Sequence, residues 1–427
     1  MHPRPRPLQC LICCLFVVVG CDAPAATDPQ TQSAAGARDP HHPTPTPPAK
    51  TSKTLKTATE HADSAPPPPP PRVVGIAIGA SDFPLGQLND AFALARAAGV
   101  TWVRFEMNSV TIHSTKSTFN WTFPDAVVAA AERNGLKPLA VVLNIPRWDT
   151  SAPADVVKAS QGSGGKTNPN GPCAGPSGGG TGGPTIPSNA YAKYPPLDQA
   201  EWLTHVSRVA QRYQGRVRAW EVWNEPDIDG VLTPGAKCPY LTWCGTPHDY
   251  ARLLAGTATE IRAIDPAASI VLGGMADVPK GNLNFLAQIL ADSAYPAARY
   301  FDIANLHFYG APAAARERLD RMRATLLAGG AGDRPVWVTE TGFPTQGKSS
   351  LEAPQVGYLS AIVPAFLDHG VSNLFWFRLK DRPAVINGCP AANAGFGLLR
   401  EDLSARPVLD VLAQMIVRHP KPSVRGM

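Results

Sequence analysis

The sequence predicts an α/β protein, a (β/α)8 TIM barrel behind a non-globular leader, and three observations predict it. Eight apolar, strand-like runs alternate strictly with helix-like stretches between Val73 and Arg418. No glycine-rich phosphate loop follows the first run, which argues against a doubly wound open sheet. Residues 73–427 have the composition of an ordinary globular protein; about 350 residues suit one barrel, which needs about 250 plus loop insertions.

The elements follow in order. Val73–Gly79 reads as β1, followed by an Ala-rich helix ending near Gly99. Trp102–Asn108 reads as β2, with a helix from Phe123 to Asn134 closed by Gly135. Lys137–Pro146 is the β3 candidate, and a helix follows at Leu197–Tyr213. Val217–Pro226 gives β4 and His248–Ile264 its helix; Ser269–Met275 gives β5 and Leu283–Asp292 its helix. Ile303–Gly310 gives β6 before a helix at Ala313–Leu327, and Pro335–Phe343 gives β7 before a helix at Pro354–His369. Asn373–Asp381 gives β8, and Ser404–Arg418 closes the barrel domain, taken as residues 73–420. Two connections are long: 147–196, rich in Gly, Ser, Asn and Pro, and 227–246. Both follow strand C-termini, the face where barrels keep their sites.

The first 72 residues are a different material. Arg4 and Arg6 precede a short apolar stretch, Leu11 to Val19, well under the about 20 apolar residues that span a bilayer. It ends in Val18-Val19-Gly20-Cys21, which resembles a bacterial lipobox. Residues 1–20 are therefore expected to be a lipoprotein signal peptide, with lipid on Cys21 anchoring the exported chain to a membrane at the periplasm or cell surface. A plain signal peptide with a coincidental cysteine is the alternative. Residues 21–72 read as a tether: six consecutive prolines, Pro66 to Pro71, favour extended polyproline geometry, and large apolar residues are too few for a core. His41 and His42 lie in this tether and read as solvated linker residues.

Charge excludes some partners. Net charge is +5 with 17% charged residues, and there is no basic footprint for nucleic acid. A nearly neutral domain suits an uncharged substrate. Of eight cysteines, Cys10, Cys13 and Cys14 leave with the signal and Cys21 carries lipid. Cys173, Cys238, Cys244 and Cys389 remain, an even set that suggests two disulfides with three possible connectivities. Cys238–Cys244 would close a short loop, leaving Cys173–Cys389. A zinc site is disfavoured, because these four form no CxxC pair and have no nearby histidine pair. No metal or organic cofactor is expected.

The informative ionisable residues stand at strand ends. β4 ends in Trp223-Asn224-Glu225-Pro226, and β7 in Thr339-Glu340-Thr341-Gly342. Two carboxylates at one barrel mouth, one protonated and one ionised, are what glycosidic bond cleavage requires.

At these residues the sequence resembles the large clan of retaining (β/α)8 glycoside hydrolases. WNEP at 223–226 resembles the clan's acid/base strand and TETGF at 339–343 its nucleophile strand. The resemblance implies a glycosidase acting on a β-linked oligo- or polysaccharide by double displacement, with Glu225 as acid/base and Glu340 as nucleophile. It also implies sugar-site roles for Arg104 in VRFEMN, Asn224, the pair His307 and Tyr309 in NLHFYG, and Trp376 in LFWFRLKD as an aromatic platform. IPRW at 145–148 and EVWNEPD at 221–227 are most similar to glycoside hydrolase family 39 and related bacterial exopolysaccharide glycosidases. Trp148 is a further candidate sugar contact. The glycine-rich insertion after β3 departs from that pattern.

Each residue has a plainer reading. On that reading Arg104 only pairs a buried acid such as Glu221, and His307, Tyr309 and Trp376 only pack the barrel. Trp148, Trp223 and Trp243 are candidate stacking platforms that read nearly as well as core, and His205, His248 and His369 read as structural. A transglycosylase would use the same two glutamates, and a non-catalytic glycan-binding lipoprotein would have no need of both. A metal-dependent barrel hydrolase is disfavoured because β1 carries no His-x-His pair.

Overall fold

A computed structural model describes residues 73–79, 83–162, 190–228, 238, 242–276, 283–382, 385–386, 389–390 and 395–417. The signal, the tether, Cys21 and Cys173 lie outside these residues. Eight parallel strands form: β1 Val74–Ala77, β2 Trp102–Asn108, β3 Lys137–Leu143, β4 Ala219–Asn224, β5 Ser269–Gly274, β6 Ala304–Phe308, β7 Val336–Thr341 and β8 Val371–Phe377. Their order is β5-β4-β3-β2-β1-β8-β7-β6. The ends of that order, β5 and β6, meet through parallel bridges Val271–Ile303 and Met275–Leu306. Across this seam Leu272 N–H donates to Ile303 O (2.9 Å) and Met275 N–H to Asn305 O (3.0 Å). The expected barrel is therefore present.

Strands begin and end within a few residues of the sequence reading, and β2 coincides with it. β8 starts two residues earlier, at Val371, and stops at Phe377 rather than Asp381. Helices follow their expected stretches for local reasons. Thr246 and Asp249 form a reciprocal capping box at the start of the helix Pro247–Ile264, with Pro247 in its first turn. Asp198 accepts from Ala200 N–H at the start of Gln199–Tyr213. Gly99 (φ +90°) and Gly135 (φ +63°) take the left-handed turn that ends the helices Leu88–Ala97 and Thr122–Arg133. The long 147–196 connection is not all loop: it contains a helix at Ala154–Gly162 and a 3-10 turn at Ala190–Lys193.

Inside the barrel, alternate residues of each strand converge. Leu139, Ala219, Val271, Ile303, Trp337 and Phe375 form an apolar plug, with Trp102 packed against it. Gly75 completes this layer, since a Cβ there would lie 2.3 Å from the Phe375 ring. Two positions further along the strands the inward side chains turn polar: Arg104, Glu221, Asn305 and Thr339. The plug is the floor on which this polar layer stands. Outside the barrel, Trp202, Tyr213, Trp220, Trp223 and Trp243 pack fully buried beneath the helices. Trp223 and Trp243 are therefore core, stacked edge-to-face at 4.8 Å. Cys238 and Cys244 are bonded, as expected, with Cα atoms 4.6 Å apart.

Candidate active site

Two breaks in strand alternation build the site. On β7 the period of two puts Trp337 and Thr339 inward, so Glu340 should face the helices. The register between β6 and β7 instead slips by one between Leu306 and His307, setting Glu340 opposite His307. Such a bulge re-aims a side chain, and here it turns the carboxylate into the mouth. Thr341 then faces outward, its hydroxyl 3.1 Å from Tyr358 of the surrounding helix layer. On β4 the break is Trp223, whose φ of +73° is unusual for a bulky residue. Its indole points out, donating to Thr242 O (3.0 Å), while Asn224 and Glu225 point in. Glu225 itself has φ +48°, and the Thr242 hydroxyl donates to its carbonyl.

Arg104 organises the anionic side. Its Nε and Nη2 donate to the two oxygens of Glu221 (2.7 and 2.9 Å), and its Nη1 donates to Glu340 Oε1 (2.6 Å). Nη2 also donates to Asn224 Oδ1 (2.8 Å). Arg104 thus pairs the buried Glu221 and reaches Glu340 as well. Burial by itself would weaken the guanidinium's hold on its proton, but Glu221 and Glu340 more than offset that. Glu221 is wholly buried and also accepts from Gly274 N–H (3.3 Å).

Tyr309 Oη donates to Glu340 Oε2 (2.7 Å). Burial pushes the Glu340 pKa up, yet the charges of His307 and Arg104 with the Tyr309 and Arg104 hydrogen bonds prevail and hold it below the usual carboxylate value. Tyr309 is shifted oppositely: burial and the neighbouring Glu340 charge raise it well above an ordinary phenol.

His307 serves the other carboxylate. Its Nδ1 lies 3.0 Å from Glu225 Oε1 and its Nε2 2.9 Å from Thr339 Oγ1, while Glu340 is 3.9 Å away. Thr339 Oγ1 is fixed in turn by Asn305 Nδ2–H (2.8 Å). Burial would lower the His307 pKa, but Glu340 and Glu225 raise it above its ordinary value. When protonated, the ring donates from both nitrogens. The close approach depends on Gly274, where a Cβ would meet His307 Nε2 at 2.0 Å.

One carboxylate oxygen of Glu225, one of Glu340 and a His307 nitrogen all lie within 4.8 Å of one another. This is a grouping whose donors could converge on a cation, but the Arg104 guanidinium already occupies Glu340 at 2.6 Å. A positive charge that close opposes a metal ion there.

The predicted sugar contacts divide. Arg104, Asn224, His307 and Tyr309 gather around the two glutamates. Trp376 does not: it is fully buried, its Nε1–H donates to Phe396 O (2.8 Å), and its ring meets Tyr358 on the helix side. Trp376 is therefore not placed to be the aromatic platform that the resemblance implied; its neighbour Phe377 faces inward instead. Phe377 packs edge-to-face on Tyr309 at 6.1 Å and lines a cavity of about 190 Å³ with Arg104, Glu106, Glu340, Arg378 and Arg382. Trp148 also stands apart from the carboxylates. Its Nε1–H donates to His113 O (3.1 Å), its ring meets the His113 ring at 4.8 Å, and Lys116 lies over it at 5.6 Å. His205 is buried beside His113, and His248 pairs Asp292 (2.7 Å). Cys389 belongs to a small antiparallel ladder with Val385–Ile386, and its expected partner Cys173 lies outside the described residues.

Sequence reading missed Glu106, Asn305, Thr339 and Phe377. Glu106 follows Arg104 by two on β2, so strand alternation was a sufficient signal for it. Asn305 and Thr339 open the quoted segments NLHFYG and TETGF, but they act through other side chains and the resemblance implies no role for them.

Comparison with known proteins gives the fold's company. No protein-family model matches the chain, and no curated protein matches it. Solved structures do. A family 39 glycoside hydrolase from the gut symbiont Bacteroides cellulosilyticus WH2 aligns at TM-score 0.56 and 18% identity over 81% of this chain. This chain covers 64% of that protein. A GH39 enzyme from Xanthomonas axonopodis pv. citri aligns at TM-score 0.57 and 17% identity, over 83% of this chain and 68% of that one. A GH5_18 protein from Streptomyces cattleya, solved in complex with Manβ1-4GlcNAc, aligns at 0.55 and 15% identity, over 82% and 83%. The fold is that of these (β/α)8 proteins.

Proposed function

We propose that this chain is a retaining glycoside hydrolase that cleaves β-linked O-glycosidic bonds of an oligo- or polysaccharide by double displacement. The observation that carries this reading is the closeness of the two glutamates, one carboxylate oxygen of each lying within 4.8 Å of the other. Retention works with carboxyl groups about 5–5.5 Å apart, whereas inversion needs about 6.5–9.5 Å to admit a water between them. The surroundings support distinct roles. Glu340 is held ionised by Arg104, His307 and Tyr309, as a nucleophile must be. Glu225 has a different partner, His307, whose Nδ1 lies 3.0 Å from its Oε1.

Glu340 attacks the anomeric carbon and the bond to the leaving oxygen breaks as Glu225 gives that oxygen its proton. Glu225, now a base, takes a proton from water; the water oxygen displaces Glu340 and the configuration is restored. Asn224, fixed by Arg104, presents its amide to the sugar beside the acid/base. The likeness to family 39 and GH5_18 structures supports the sugar-cleaving class. The test is release of new reducing ends from a panel of neutral β-linked polysaccharides and bacterial exopolysaccharides. Glu340→Gln should abolish release, and Glu225→Gln should slow it about 10²- to 10⁴-fold. Unchanged release by Glu340→Gln would refute the assignment.

Residues 1–20 are proposed to direct export as a lipoprotein signal, with Cys21 lipidated and residues 22–72 tethering the barrel to the membrane surface. Cys173 and Cys389 are proposed as a second disulfide.

A further inference from the structure

We propose that Glu106 determines specificity by accepting hydrogen bonds from hydroxyl groups of the sugar carried on Glu340; this rests on the hydrolase reading above. Arg104 and Glu106 alternate on the same inward face of β2, and Glu106 is the one nearer the mouth. Both line the cavity of about 190 Å³ that also touches Glu340. That cavity does not touch Glu225. In double displacement the sugar bonded to the nucleophile is the glycone, and the acid/base faces the departing group. The cavity on the Glu340 side is therefore the glycone's seat, and its remaining polar wall reads the glycone.

Glu106 is half-buried, and among the described residues its carboxylate makes no hydrogen bond or ion pair. It feels the charges of Arg104 and of Lys193, whose Nζ is held by Asn144 Oδ1 at 2.9 Å. The Glu106 carboxylate presents two acceptor oxygens to the cavity. Arg378 and Arg382 enter the same cavity from the end of β8 as donors only. A hydroxyl both donates and accepts, so a wall with acceptor and donor groups matches a polyhydroxylated ring. Two oxygens of one carboxylate suit two neighbouring hydroxyls. The class of glycone is thus a sugar with free adjacent hydroxyls.

The test uses the full chain and aryl β-glycosides of neutral sugars. kcat/KM is measured for the best of them and for its monodeoxy analogues, with wild type, Glu106→Ala and Glu106→Gln. A hydrogen bond from a hydroxyl to a charged acceptor predicts a loss of about 10- to 100-fold for Glu106→Ala on the parent glycoside. The loss should nearly vanish on the one or two deoxy analogues lacking the recognised hydroxyls, on which wild type is itself slowed. Glu106→Gln, which keeps the shape and one acceptor, should recover part of the loss and covers the case in which the alanine variant does not fold. An equal loss on every analogue would overturn the proposal and leave Glu106 as a counter-charge to Arg104 and Lys193. If wild type turns over no glycoside at all, the hydrolase reading falls and this proposal with it. Wild-type turnover with analogue-independent losses sinks this proposal alone.

Discussion

Glu340 and His307 are charged by each other's presence, and the consequence is a pH dependence with a definite sign. Glu340 has its folded pKa depressed below the ordinary value of 4.5. Its contribution to stability is present above that value and is lost as pH falls through the depressed one. His307 has its folded pKa raised above 6.5. Its contribution is full below 6.5 and is lost as pH rises through the raised value. Tyr309→Phe removes one of the groups that hold Glu340 down. The acid limb of kcat/KM should therefore move to higher pH, by about one pH unit; an unmoved limb would mean that Tyr309 does not act on Glu340. Glu221→Gln leaves Arg104 with half its buried counter-charge. It should cost about 3–5 kcal/mol of unfolding free energy, read from denaturant titration, and a loss within error of zero would contradict the buried-pair account.

At the scale of elements, the sequence reading succeeds where alternation is regular and fails where it breaks. Eight strands were legible because each is an apolar run bounded by turn residues, and the plug beneath the site follows from their period of two. The polar positions Arg104, His307 and Tyr309 were legible through motif resemblance. The β7 bulge and the left-handed Trp223 were not, since each depends on pairing between strands distant in sequence. Glu340 was found by its motif although its position in the period points it outward. Trp376 illustrates the opposite failure: the motif named the right strand end, but a slip of one residue exchanges the two faces of a strand. Phe377→Ala should raise KM for a glycoside and leave the fold intact. Trp376→Phe should lower stability by about 1–3 kcal/mol, because it strands the Phe396 carbonyl and opens a gap under the helix. Its KM should not change. Steady-state kinetics beside thermal unfolding distinguish the two, and the reverse pattern would restore Trp376 as the platform.

At the scale of the whole molecule, a barrel with a charged mouth follows a proline-rich leader that is proposed to anchor it. If Cys21 carries the lipid, Cys21→Ser should move the protein from the membrane fraction to the soluble fraction without altering turnover; membrane retention by the variant would refute the anchor. The barrel's chemistry is independent of that outcome. Its central claim is double displacement between Glu225 and Glu340, and the anomeric configuration of the first-formed product tests it most directly. Proton NMR of an aryl β-glycoside digest, recorded before mutarotation, should show the β-anomer of the free sugar appearing first. Initial appearance of the α-anomer would mean a single displacement by water, and would contradict the roles assigned to both glutamates.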